Sequence, residues 1–242
     1  MIEMPKNFMF RFAKWHIWLG WLVGVPTLMW MVTGLFMASK PIEEVRGNHL
    51  RIDKPLDPLV LPNQILSDPS YPVSEVRTFL QDGRPITLLK GIDGSTRRID
   101  AQSGLTLPNL TENDAIRVVS SSIVGGDKIK SVKAFQSNEA PFDFRQSIPV
   151  WQITLEDGAH IYVGQETGEI EAIRTTWWRV FDFMWGLHIM DLRERDNTSH
   201  PTLILFAFLG VSGALLGNIL MFRKRKTKMT RSVIVRDKSK SN

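Results

Sequence analysis

Any chemistry in this chain has to come from a short list of side chains. There are five histidines and no cysteine. Without cysteine there is no disulfide, thiol nucleophile, thiolate-bound zinc, iron–sulfur cluster or covalently attached c-type haem. A metal or haem would hang on histidine, methionine or carboxylate. His16 stands beside Trp15 where an apolar run begins, which suits a polar residue at a headgroup interface as well as a ligand. His188 lies among Trp185, Met184 and Met190 and needs a hydrogen-bond partner, with Asp182, Asp191 or a headgroup as the nearest choices. His200, directly before Pro201, marks the edge of a second apolar run; His160 shares a strand face with Tyr162 and reads as surface packing; His49 is alone in a polar segment. No G-x-S-x-G, H-E-x-x-H or phosphate-binding glycine loop is present, and carboxylates such as Glu43, Glu44, Glu112 and Asp114 are explained as loop and helix-cap residues. No catalytic residue and no metal cluster is assigned.

The elements that carry these histidines are two apolar runs. Trp15 to Ala38 and Pro201 to Phe222 contain no charge, and each is long enough to cross the hydrocarbon of a bilayer. The first is too long for a signal-peptide core and lacks a small-residue cleavage site, so it reads as an uncleaved anchor. Pro26 is expected to kink that helix rather than end it. Gly20-x-x-x-Gly24 and Gly213-x-x-x-Gly217 fit either a hairpin of the two spans or a homodimer seam. Trp177, Trp178, Phe181 and Trp185 form an aromatic shelf before the second run, the pattern of an interfacial helix over 176–192.

Charge sets the expected topology. Residues 223–242 are net +8 and residues 1–14 net +2, so the stretch between them is net −5 within a chain of +5. The basic ends predict two cytoplasmic termini and a central region outside, with a lipid-headgroup contact for the basic tail. Nucleic acid is not a partner expected of an acidic central region.

That region repeats itself. Pro85-Ile86-Thr87-Leu88, Asp93-Gly94, Arg98-Ile99-Asp100 and Ser103-Gly104 recur 64 residues later as Pro149-Val150-Trp151-Gln152, Asp157-Gly158, Tyr162-Val163-Gly164 and Thr167-Gly168. Asp-Gly between alternating apolar residues is a strong hairpin signal. A capping-box-like Thr111-Glu112-Asn113-Asp114 predicts a helix before the second copy, with Gly125-Gly126 ending it. The first copy has only a shorter candidate, Asn63 to Leu66, and Asn138 to Gln146 reads as an inserted loop. The expected fold is therefore α+β: two transmembrane helices flanking tandem helix-plus-antiparallel-sheet units over 39–106 and 107–175.

Several of these segments look like one family. Phe181-Asp182-Phe183-Met184-Trp185-Gly186-Leu187-His188-Ile189-Met190-Asp191 before a span, and Trp15-His16-Ile17-Trp18-Leu19-Gly20 through Thr33-Gly34-Leu35, resemble the PepSY-associated transmembrane-helix family. Pro149 to Leu155, Asp157-Gly158 and Thr167-Gly168-Glu169 resemble the PepSY domain itself. The resemblance implies a bacterial inner-membrane protein with a periplasmic central region. It implies one of three roles: a binding or accessory module docking a periplasmic or membrane partner, a b-type haem protein linked to iron–siderophore reduction, or a structural subunit of a larger complex. In larger relatives transmembrane histidines are implicated in non-covalent haem binding, which by resemblance points to His16 and His188. A span about 36 Å long separates those two under the expected topology, and both axial nitrogens must lie about 2 Å from one iron. They cannot share a haem within one chain. His188 with His200, His188 of two protomers, Met184 or Met190 as second ligand, or a ligand from another protein remain.

Overall fold

A computed structural model describes residues 6–53, 71–81 and 83–238. The candidate helix Asn63 to Leu66 lies outside the described residues. The chain divides into two compact units, one of Lys40–Val180 and one of the residues before and after it.

In the helical unit, α1 (Lys6–Met37) runs unbroken through Pro26, and α5 (Pro201–Lys238) begins at a proline, whose missing N–H costs nothing in a first turn. Their apolar portions, Phe10–Met37 and Pro201–Phe222, are long enough to cross a membrane. Their side chains face outward: Trp21 is 81% exposed, Val25 77% and Phe208 68%, whereas a core helix of a globular protein would bury such residues. Hydrocarbon is the solvent that suits this surface. The two helices pack on each other. Gly213 meets Leu19 and Gly217 meets His16, so the second small-residue motif lies in the hairpin. Gly20 and Gly24 have no atom within 4 Å of where a side chain would start, so the first motif is not used there.

The other unit contains two four-stranded antiparallel sheets, ordered β1-β2-β3-β4 and β5-β6-β7-β8. The first comprises β1 (Val73–Gln81), β2 (Arg84–Gly91), β3 (Thr96–Asp100) and β4 (Thr106–Leu107). The second comprises β5 (Ile129–Phe135), β6 (Val150–Leu155), β7 (His160–Gly164) and β8 (Ile170–Arg174). The repeat holds at the level of register: β3 plus 64 is β7, and the Ile86↔Asp100 pair becomes Val150↔Gly164. Gly94 and Gly158, at the two Asp-Gly turns, share φ near +82° (83° and 82°), a conformation in which a Cβ would be strained. The strand that opens each copy carries a bulge at the same place, between Val73 and Glu75 and between Ile129 and Ser131. These two opening strands are offset by 56 rather than 64, because equivalent paired positions, Val73↔Gly91 and Ile129↔Leu155, are eight residues further apart in the second copy.

The short helix α2 (Ile42–Val45) and a 3-10 turn at Asn48–Leu50, which contains His49, lead into an Arg51↔Ile123 bridge. Between the copies, α3 (Glu112–Ser122) starts with a capping box: Thr111 Oγ1 accepts from the Asp114 amide while the Asp114 carboxylate accepts from the Thr111 amide. It ends at Ser122, ahead of Gly125-Gly126, because Ile123 turns extended to bridge Arg51. Ala115, Val118, Val119 and Ile123 of this segment bury against Ile153, Ile161, Val163 and Ile173. The opposite face of the second sheet is covered by the β5–β6 connection, which inserts Phe144 over Val150, Tyr162 and Ala172.

Candidate functional site

The aromatic helix α4 (Thr176–His188) ends at His188 itself, short of the expected 192. Met190 takes φ of 56° and the Asp191 amide donates back to the Gly186 carbonyl at 2.9 Å, the left-handed closure common at helix C-termini. The following chain folds over α4. Asp182, buried at 6% exposure, receives Arg195 Nη1 at 2.6 Å, and Trp185 Nε1 donates to the Arg195 carbonyl at 3.0 Å. Gly186 permits this return, since a Cβ there would sit 2.9 Å from Arg195 Cγ and 3.0 Å from the Asp191 carbonyl oxygen. The Asp191 carboxylate accepts amides of Glu194, Arg193 and Asn197, which hold it below the usual carboxylate range, Glu194 foremost.

Neither Asp182 nor Asp191 is therefore the partner of His188, as expected from sequence: both are committed to this loop. The partner is Thr33 of α1. Thr33 Oγ1 donates to the Met29 carbonyl at 2.7 Å, the back-bond that threonine makes within a helix. With that proton on Met29, the oxygen can receive His188 Nδ1–H, whose nitrogen stands 2.9 Å away. Trp30 Nε1 donates to the His188 carbonyl at 2.8 Å, satisfying one of the acceptors left open at the end of α4.

His16 shows the same arrangement on α5. Its Nδ1 lies 3.0 Å from the Gly213 carbonyl, which can only accept, so Nδ1 carries the proton. Gly217 makes room for the ring: a Cβ there would stand 2.8 Å from His16 Cε1. When an oxygen holds Nδ1–H of an imidazole, Nε2 is the nitrogen left for a ligand. His16 also borders a groove of about 360 Å³ with Gly20, Gly24, Thr27, Met31 and Gly210. His200 is different. Its Nδ1 accepts the Thr202 amide at 3.4 Å as a helix cap, which leaves the proton on Nε2.

The structure does not bring these histidines together. On α1 the contact positions of His16 and His188 are 16 and 33, about 25 Å apart at the helical rise. Among the described residues no three His, Asp or Glu side chains cluster closely enough to hold a metal. Met190 occupies the left-handed cap of α4, and Met184 is half-buried on α4.

The aromatic shelf is half-buried. Lys40 stands 5.1 Å from the Trp177 ring centroid, Arg174 4.1 Å from that of Trp178, and Trp185 bonds Arg195, while Phe181 is half-buried and Phe183 exposed. His160 is half-buried, at 27% side-chain exposure, and packs edge-on against Tyr162 as expected. With Asp143 of the β5–β6 connection (3.1 Å) it joins a buried network in which Tyr162 donates to Asp143 at 2.6 Å and Gln152 donates to Tyr162 at 2.6 Å. Arg174 Nε donates to the Asp143 carbonyl at 2.7 Å. Tyr162 is fully buried, and the constellation anchors the β5–β6 connection to the sheet.

Sequence reasoning missed Thr33, Trp30 and Arg195. A signal for the first was present: Thr33 is one of three polar side chains, with His16 and Thr27, in the first apolar run. Compared with protein-family models, curated proteins and solved structures, the chain matches none.

Proposed function

We propose that this chain is a membrane-anchored docking module of the PepSY-associated kind, seated in a bacterial inner membrane with both termini cytoplasmic and the tandem sheets in the periplasm. The observation that carries the reading is the outer strand β1. Among the described residues it has a strand neighbour on one side only, and Ser74, Glu75, Val76 and Arg77 are exposed in succession, on both faces of the strand. Such an edge offers unpaired backbone donors and acceptors to an extended segment of another protein. The basic residues after Phe222 favour the cytoplasmic side for that end. The test is a photo-crosslinking side chain at Val76 in cells. A single protein adduct, lost when Thr78→Pro interrupts β1, is expected; no adduct at Val76 sinks the docking reading.

A second reading is favoured by the histidines. His16 and His188 each hold Nδ1–H against a protein oxygen and present Nε2, the arrangement of an axial haem ligand. A non-covalent haem b at either one would take its other ligand from a second chain or a methionine, since the two lie about 25 Å apart. The visible spectrum of detergent-purified protein, oxidised and dithionite-reduced, decides this reading. A Soret band lost in His188→Ala or His16→Ala supports it, and a preparation that stays colourless after haem addition removes it.

A further inference from the structure

In the sheet unit, a pocket of about 510 Å³ lies between the first sheet, the chain at Leu107–Leu110 and the outer face of α3. Arg84, Arg98 and Arg117 line it, with Asp100 and Asp114. The two carboxylates are already engaged. Asp100 Oδ1 accepts the Gln102 and Ser103 amides and the Ser103 hydroxyl, and Asp114 caps α3 and pairs with Arg117. The cations are less well served. Among the described residues neither Arg84 nor Arg98 has a carboxylate within ion-pair distance. Arg98 is oriented by two neutral acceptors, Gln81 Oε1 at 2.8 Å and the Pro108 carbonyl at 3.3 Å, and its Nε is out of reach of water with no partner. Burial pushes its pKa down, and the field of Asp114 opposes that. A half-buried guanidinium that is positioned but not neutralised is costly unless an anion completes it.

Two further features narrow the anion. Three arginines against two aspartates leave one positive charge, which matches a monoanion and disfavours a dianionic phosphate beside Asp100 and Asp114. The remaining walls are apolar: Ile86, Leu107, Leu110 and Val118. We propose that this pocket binds a carboxylate carried on a small apolar body, with Arg98 as the seat of the carboxylate and Arg84 and Arg117 at the rim. The source is a free organic acid or the C-terminal residue of a peptide. The pocket shares no residue with the β1 edge segment Ser74–Arg77 or the histidines, so this inference stands apart from both readings above.

The test uses the full chain in detergent with labelled Ile, Leu and Val methyl groups, followed by NMR. N-acetyl-leucine is titrated against N-acetyl-leucinamide, inorganic phosphate and the tripeptide Ala-Ala-Leu. Saturable shifts centred on Ile86, Leu107, Leu110 and Val118 are expected with the acid, with the amide and phosphate at least about tenfold weaker, the discrimination of a charge-assisted contact. Tighter binding of the tripeptide assigns a peptide C-terminus, and tighter binding of N-acetyl-leucine a free acid. Arg98→Gln should weaken binding about tenfold or more and Arg84→Gln about threefold, while Lys130→Gln, on β5, leaves it unchanged. If Arg98→Gln does not fold, Arg84→Gln and Arg117→Gln carry the test. Equal shifts with acid and amide, shifts scattered over the unit, or arginine variants that bind as the parent does would overturn the proposal.

Discussion

The Thr33 hydroxyl stands 2.9 Å from Nδ1 of His188 while giving its own proton to the Met29 carbonyl 2.7 Å away. One of three polar side chains in the apolar run of α1 thereby positions a histidine 155 residues later. Thr33→Val removes the acceptor and leaves a part-buried N–H unpaired, which should cost about 1–3 kcal/mol. Thr33→Ser should recover most of it. Thermal unfolding in detergent reads the stability, and nitrogen NMR of labelled histidine reads the loss of a single Nδ1–H form at His188.

The hairpin of α1 and α5 can be tested through its glycines. A Cβ at Gly213 would lie 3.8 Å from that of Leu19, the separation natural to a disulfide. In a chain without cysteine, Leu19→Cys with Gly213→Cys should therefore oxidise to an intramolecular bridge, visible as a mobility shift that a reductant reverses.

Arg195 and Asp182 make an ion pair in the α4 return whose members are both largely out of water, at 20% and 7% side-chain exposure. Arg195→Ala removes the guanidinium from a buried carboxylate and should destabilise by about 3–5 kcal/mol. Replacing both, with Asp182→Leu and Arg195→Met, should recover much of the loss. Thermal midpoints of the two variants against the parent check the order; a double variant less stable than the single one contradicts it.

Tyr162 gives a pH dependence at the alkaline end. Burial first, then the Asp143 carboxylate, raise its hydroxyl above the ordinary phenol value. A folded pKa raised above the unfolded one contributes stability that is complete below about pH 10 and lost as pH climbs beyond it. Tyr162→Phe should lower stability by about 1–3 kcal/mol at neutral pH and flatten the decline above pH ~10. Unfolding midpoints of parent and variant between about pH 8 and 11 compare the two slopes.

Much of the frame was readable in the residues. The 64-residue repeat, its Asp-Gly turns and the capping box at Thr111 are local signals, and each is found where local chemistry puts it. The strands that open each copy were harder, because β1 alternates poorly and β5 carries Lys130 and Lys133 among its apolar residues. The site was legible in part. His16 and His188 stand out by type, but their partners sit 197 and 155 residues away, and no local pattern pairs a threonine with a distant imidazole. For His188 the nearby aspartates were the natural expectation, yet Arg195 and the loop amides had prior hold on both.

The unequal use of the two glycine motifs separates two kinds of association. The pair at Gly213 and Gly217 closes within one chain, so its extent is independent of how crowded the bilayer is. The pair at Gly20 and Gly24 lines the groove beside Gly210 and leaves it unfilled. Any contact made there scales with the surface density of whatever meets it, and dilution in lipid would dissolve that contact while leaving the hairpin intact.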